Sequence, residues 1–228
     1  MDVTSGTLVT RVSNALINGP MIYLGASGTF DLDGHSQSIA TLHGIAGGML
    51  VSSRPATLML LCNQNGISQD NNNGNGVYGP EGRTNRVVFV GNVSLVKQGS
   101  LQHTLAATSS STGTLKVTAG TLTLSGSWVN CTNLVAAGGT FAVKNVNAFG
   151  DNLRAPGERP KVEVDVASGA SLVLDYAGRI DCAAFRVDGA KLYGTFGAPG
   201  SGAANEYAWI SGTGLMRVLP QSTTIIFR

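Results

Sequence analysis

Charge is scarce in this chain: only 12% of its 228 residues are Asp, Glu, Lys or Arg, against about 25% in ordinary soluble domains. The 15 basic and 13 acidic residues leave a formal balance of +2 and form no block of either sign. Capture of nucleic-acid phosphates needs a clustered basic footprint, so nucleic acid is not an expected partner. Aromatic residues, at 6%, are not interleaved with basic ones. No apolar run approaches the roughly 18 residues of a spanning helix, which excludes a transmembrane helix. The opening Met1-Asp2-Val3-Thr4 has neither the basic nor the apolar region of a secretory signal, so an exported parent protein is expected to carry its signal upstream. Three cysteines, Cys62, Cys131 and Cys182, are too few for a disulfide framework and too far apart for a metal knuckle. They read as small buried hydrophobes, with Cys131 and Cys182 in strand-like segments; one disulfide between neighbouring repeats is the alternative.

Catalytic signatures are missing as well. The chain lacks Gly-x-x-x-x-Gly-Lys-Ser/Thr, His-Glu-x-x-His, Cys-x-x-Cys and Gly-x-Ser-x-Gly. Gly74, Gly76 and Gly79 match the letters of a dinucleotide fingerprint, but no buried strand precedes them and Pro80 follows directly. No cofactor is expected. The run from Asp70 to Gly76 has oxygen ligands but a single carboxylate, so it reads as a solvated loop and no metal site is assigned. His35, His43 and His103 are scattered and read as surface or edge histidines.

What the chain has in excess is glycine, 31 of 228 residues, against an average usage of about 7%. Many of these glycines open one recurring phrase, Gly-Thr-Leu or Gly-Thr-Phe, at Gly6, Gly28, Gly113, Gly120, Gly139 and Gly194. Looser copies stand at Gly48, Gly99 and Gly169. Alternating apolar and polar residues follow each copy, the period-two pattern of a half-buried strand. The steps Gly6 to Gly28, Gly28 to Gly48 and Gly120 to Gly139 are 22, 20 and 19 residues, within the window of about 20 to 50 residues typical of repeat architectures. A single strand cannot bury its apolar face, so the copies must stack on one another.

The expected fold is therefore all-β, a right-handed parallel β-helix or solenoid spanning 1–228 as one repeat domain, with an antiparallel β-sandwich as the alternative. Two stretches interrupt the rhythm: a polar, glycine-rich loop insertion at 63–86 and an irregular, proline-containing loop at 150–160. Leu115, Val117, Leu122 and Leu124 should point inward, with Lys116, Thr118, Thr121 and Thr123 toward water. Some ten coils, about 4.8 Å apart, would make a rod roughly 45 Å long. A terminal coil left open would invite strand addition.

The phrasing GTFDLDGHSQSIATLHG, with Leu32, Asp33, Ser36 and Gln37, resembles the strand-turn-strand unit of the autotransporter-associated β-strand repeats found in large exported bacterial proteins. GNVSLVKQGSLQHTLAA followed by GTLKVTAGTLTLSG resembles a further unit of that family, and the stretch from Ala167 to Leu219 resembles its closing segment. The resemblance implies a passenger or stalk on a secreted or surface-attached bacterial protein. No translocator barrel follows the repeats here, so self-transport is not expected.

Two function classes follow. The first is a structural or adhesive module making weak, multivalent contacts with glycans or glycoproteins, and with other domains of its parent protein, through Tyr78, Tyr193, Tyr207 and Trp209. The second is a secreted hydrolase of glycans or glycoproteins, mucin-like substrates included, working through a carboxylate pair. Asp31 with Asp33 and Glu163 with Asp165 are two residues apart on strands, so each pair shares a face about 6.5 to 7 Å apart, within the separation that acid–base glycoside hydrolysis requires. The plainer role for such alternating acids is to keep an outer strand face wet.

Overall fold

A computed structural model describes residues 1–62, 83–150 and 158–218. Among them every regular element is a strand, and no helix is long and apolar enough to cross a membrane. The largest sheet places eight strands side by side in chain order, all parallel: Asp2–Val9, Met21–Asp31, Met49–Leu60, Val88–Lys97, Thr114–Val117, Asn133–Ala136, Glu163–Val166 and Ala184–Val187. A second, parallel sheet runs Arg83–Asn85, Gln102–Leu105, Thr121–Leu124, Thr140–Val143, Ser171–Leu174 and Ile210–Gly212. Strand direction therefore excludes the antiparallel sandwich.

Register follows the repeat. Gly6 lies beside Gly28, Thr29 beside Met49, and Thr121 beside Thr140, the same steps of 22, 20 and 19 residues by which the phrase recurs. In-register stacking puts like on like. Leu58, Leu95, Leu115, Leu134, Val164 and Phe185 form one inward column, each fully buried. On the second sheet Leu122, Phe141, Leu172 and Ile210 form another. Each such side chain contributes about 1.5 to 3 kcal/mol by leaving water, and none could do so without the neighbouring strand. As expected, Leu115, Val117, Leu122 and Leu124 are buried, while Lys116, Thr118 and Thr121 lie partly open; Thr123, however, is buried.

The phrase glycines explain the turn between the two sheets. Gly99, Gly120 and Gly139 have φ of 70°, 63° and 71°, the left-handed region where a β-carbon is costly. They also stack on one another. A β-carbon on Gly120 would lie 2.5 Å from the Gly99 carbonyl oxygen, and one on Gly139 would lie 2.4 Å from that of Gly120. Glycine is thus required twice at this corner, by its own backbone and by the strand beside it.

Polar side chains inside the stack tie its corners. Ser111 Oγ accepts from the Val93 N–H at 2.9 Å and donates to the Val93 carbonyl at 2.8 Å; Ser109 Oγ accepts from the Phe89 N–H at 3.1 Å. Trp128 fills the interior beside them. Its indole N–H donates to the Ser111 carbonyl at 2.6 Å, and its ring lies 4.9 Å from that of Phe89. Trp128→Ala removes both packing and a buried partner and is expected to destabilise by about 3 to 5 kcal/mol, read as a fall in the denaturation midpoint.

Four further expectations change. Arg83–Asn85, placed by sequence in the 63–86 loop, is a strand paired with Gln102–Leu105, and 63–82 lie outside the described residues. Cys131 sits between strands rather than in one. His103, taken as a surface or edge histidine, is buried in the column of Leu122. Finally, the largest sheet holds eight parallel strands in chain order among the described residues, and 188–209, which follows the last of them, adds only an antiparallel strand to it.

The far end closes differently. Ala190–Leu192 folds back antiparallel on Ala184–Val187, and Gly194–Gly197 runs antiparallel to Leu215–Val218, which pairs in parallel with Arg179–Cys182. Phe185 and Phe196 stack at 4.1 Å under this closure.

Candidate functional site

Asp31 ends its strand, and its Oδ1 accepts the Asp33 N–H at 2.8 Å, closing a turn in which Asp33 takes a φ of 44°. The Asp33 carboxylate then meets two guanidinium groups, Arg11 at 2.8 Å and Arg54 at 2.9 Å. These arginines come from the preceding and following repeats, 22 residues before and 21 residues after. The Arg54 hydrogen bond, supported by charge from Arg54 and Arg11, holds the Asp33 carboxyl below the usual carboxylate range. A carboxylate so held is no proton donor near neutral pH. Because its folded value is lowered, its contribution to stability is present above the unfolded carboxylate pKa, about 3.9, and is lost as pH falls through the folded value. Asp33→Asn is therefore expected to flatten the acid limb of the stability profile, measured by urea denaturation between pH 2 and 7.

Glu163 and Asp165 share the outer face of their strand, as expected. Arg186 on the next rung lies beside Asp165 in register and donates to Glu163 Oε2 at 2.5 Å. Hydrogen bonding to Glu163, aided by charge from Glu163 and Asp165, raises the Arg186 guanidinium further. Asp31 is engaged in turn closure and Asp33 and Glu163 in arginine pairing between neighbouring strands, while Asp165 Oδ1 accepts the Gly189 N–H at 3.4 Å. Among the described residues no three His, Cys, Asp or Glu side chains gather closely enough to hold a metal ion.

The aromatic candidates gather at the closed end. Tyr193 is 57% exposed, and the Lys191 ammonium sits 5.4 Å from its ring centre, within cation–π range. Tyr207 and Trp209 stack at 4.7 Å and pack partly against the core, where Trp209 lies 6.4 Å from Phe185. Asn205 Nδ2 donates to the carbonyls of Tyr193 and Thr195 at 3.0 and 3.2 Å, linking the Tyr193 backbone to the segment that leads into Tyr207. The loop before Tyr207 is set by Glu206, which accepts the Gly200 and Gly202 N–H groups at 2.8 and 2.9 Å; these bonds hold its carboxyl below the ordinary range. Tyr78 and the glycines at 74, 76 and 79 lie outside the described residues. Comparison with known protein families, with curated proteins and with solved structures finds no match.

Sequence reasoning missed Lys191, Asn205 and Glu206. Lys191 acts through its local contact with the Tyr193 ring, and the roles of Asn205 and Glu206 depend on backbone groups of the turn at 198–204 and of Tyr193 and Thr195, which alternation along a strand does not reveal. The cysteines behave as buried hydrophobes: no disulfide joins them, and all three are buried. Burial pushes the Cys131 thiol up to about 12. Alkylation of the three thiols is expected only in denaturant, with intact mass the readout.

Proposed function

We propose that this chain is a right-handed parallel β-helical module of an exported bacterial surface protein, structural in its length and adhesive at its closed end. The observation that carries this reading is how the polar groups are used. Asp33 and Glu163 are paired with arginines of neighbouring strands, while Tyr193 stands open and is tied through its backbone carbonyl to Asn205, in the segment that leads into the Tyr207–Trp209 stack. Apolar aromatic faces flanked by polar groups suit the faces of sugar rings, and weak contacts of that kind gain strength by multivalent display. Glycans or glycoproteins are the proposed ligands.

The hydrolase reading needs one carboxyl to remain protonated near neutral pH; the two arginines on Asp33 oppose this at that carboxyl, so the adhesive reading is preferred. On a glycan array the chain is expected to bind through the closed end. Tyr193→Ala and Trp209→Ala should each reduce that binding, while Asp33→Asn and Asp165→Asn leave it intact. Binding lost equally in all four, or turnover of a glycan abolished by either Asn variant, would overturn the reading.

A further inference from the structure

The two ends of the largest sheet differ. At the far end the terminal strand, Ala190–Leu192, is only three residues long, runs antiparallel and carries Lys191 outward, devices that blunt an edge. At the near end the terminal strand, Asp2–Val9, is eight residues long and hydrogen-bonds along one side only, to Met21–Asp31. It contains neither lysine nor proline. Four of the seven large hydrophobic residues standing exposed among the described residues belong to this first coil: Met1, Val9, Val12 and Ile17, the last 80% open. Val3 and Leu8 turn toward the core but stay partly exposed, because no rung lies over them.

We infer that this edge pairs with the same edge of a second copy of the chain, antiparallel, about a two-fold axis perpendicular to the sheet. The strand is self-complementary in one register. The irregularity between Val3 and Ser5 shifts the alternation so that Val3 and Leu8 both face inward although five residues apart. With Val3 set opposite Leu8 of the other copy, Thr4 lies opposite Thr7, and the inward residues of the two copies meet across the axis. The charges fit too. Asp2 and Arg11 are the only charged side chains in the first twenty residues. In this register Asp2 of one copy falls diagonally across from Arg11 of the other, twice by symmetry, at about 7 to 8 Å between backbones, so that the largely exposed Arg11 guanidinium, which holds Asp33 of its own chain, would bridge the two carboxylates. Rotation about such an axis keeps each sheet's buried face on the same side, so the two cores continue into each other.

The occupant is a second copy because the edge offers its own complement in both apolar and charged positions. This inference is independent of the glycan reading. The full chain is expected to sediment as a concentration-dependent dimer. Asp2→Arg should weaken dimerisation about tenfold or more by setting like charges together, and Asp2→Arg with Arg11→Asp should restore it. For register, Thr4→Cys and Thr7→Cys proteins, mixed and mildly oxidised, are expected to cross-link with each other, since directly opposed residues fall within disulfide reach; Thr4→Cys alone is not. A monomer at all concentrations, or a dimer indifferent to Asp2→Arg and lacking the mixed cross-link, would overturn the proposal. A monomer would leave the edge to a different strand.

Discussion

Gly139→Ala should destabilise the protein by about 3 to 4 kcal/mol, against about 1 kcal/mol for Gly169→Ala, the difference being the overlap with the neighbouring rung. Both glycines open a copy of the repeated phrase and both have left-handed backbones, with φ of 71° and 83°. The intrinsic cost of adding a β-carbon is therefore shared. Their surroundings differ: a β-carbon at 139 would lie 2.4 Å from the Gly120 carbonyl oxygen, whereas nothing lies within 4 Å of one at 169. The obstacle at 139 is backbone, which cannot rotate aside, and the same oxygen accepts the Thr140 N–H at 2.7 Å. Relief requires the rungs to part and that bond to lengthen. For a chain of this size the difference corresponds to roughly 5 to 10 °C between the two midpoints. Equal midpoints would mean that the rungs do not approach at this corner.

Lys97→Ala is the second large effect, expected at about 3 to 5 kcal/mol. Lys97 stands in an inward column between Leu60 and Val117 and is fully buried. Its ammonium donates to the carbonyls of Gln98 at 2.7 Å, Gly99 at 2.8 Å and Ala119 at 3.0 Å, binding the glycine corner of one rung to that of the next. Truncation empties the column and leaves three acceptors without their donor. Lys97→Met keeps the volume but not the donor, and should recover only the packing share.

Burial lowers the Lys97 pKa from its ordinary value, so between the folded and unfolded values the unfolded chain binds more protons and stability rises with pH. That slope, approaching pH 10, should vanish in Lys97→Met. A variant as stable as the parent, with the slope retained, would remove the lysine from this role.

Much of this was legible in the sequence, for a physical reason: in a stack, residues one repeat apart become neighbours. The 19- to 22-residue recurrence of the glycine phrase is the register itself. The same alternation that turns Val93 and Leu95 inward also turns Lys97, and the one that turns Leu101 and Leu105 inward turns His103. Their position indicated burial while their polarity suggested the surface, and position won because Lys97 finds carbonyls at the corner. The outward acids were readable as well, but their arginines become visible only when the chain is folded back one repeat, from Asp33 to Arg11 and Arg54 and from Glu163 to Arg186. The closed end was the least legible part. There the strands shorten and reverse direction, and the aromatic cluster is held by single contacts such as Asn205 to Tyr193.

Cross-strand nuclear Overhauser contacts in the uniformly labelled chain test the stacked-rung architecture most directly. Parallel, in-register contacts are expected from Leu115 to Leu134 and from Leu122 to Phe141, each 19 residues on, and from Leu134 to Val164. Contacts whose partner numbers fall as the residue number rises, joining these strands antiparallel, would contradict it.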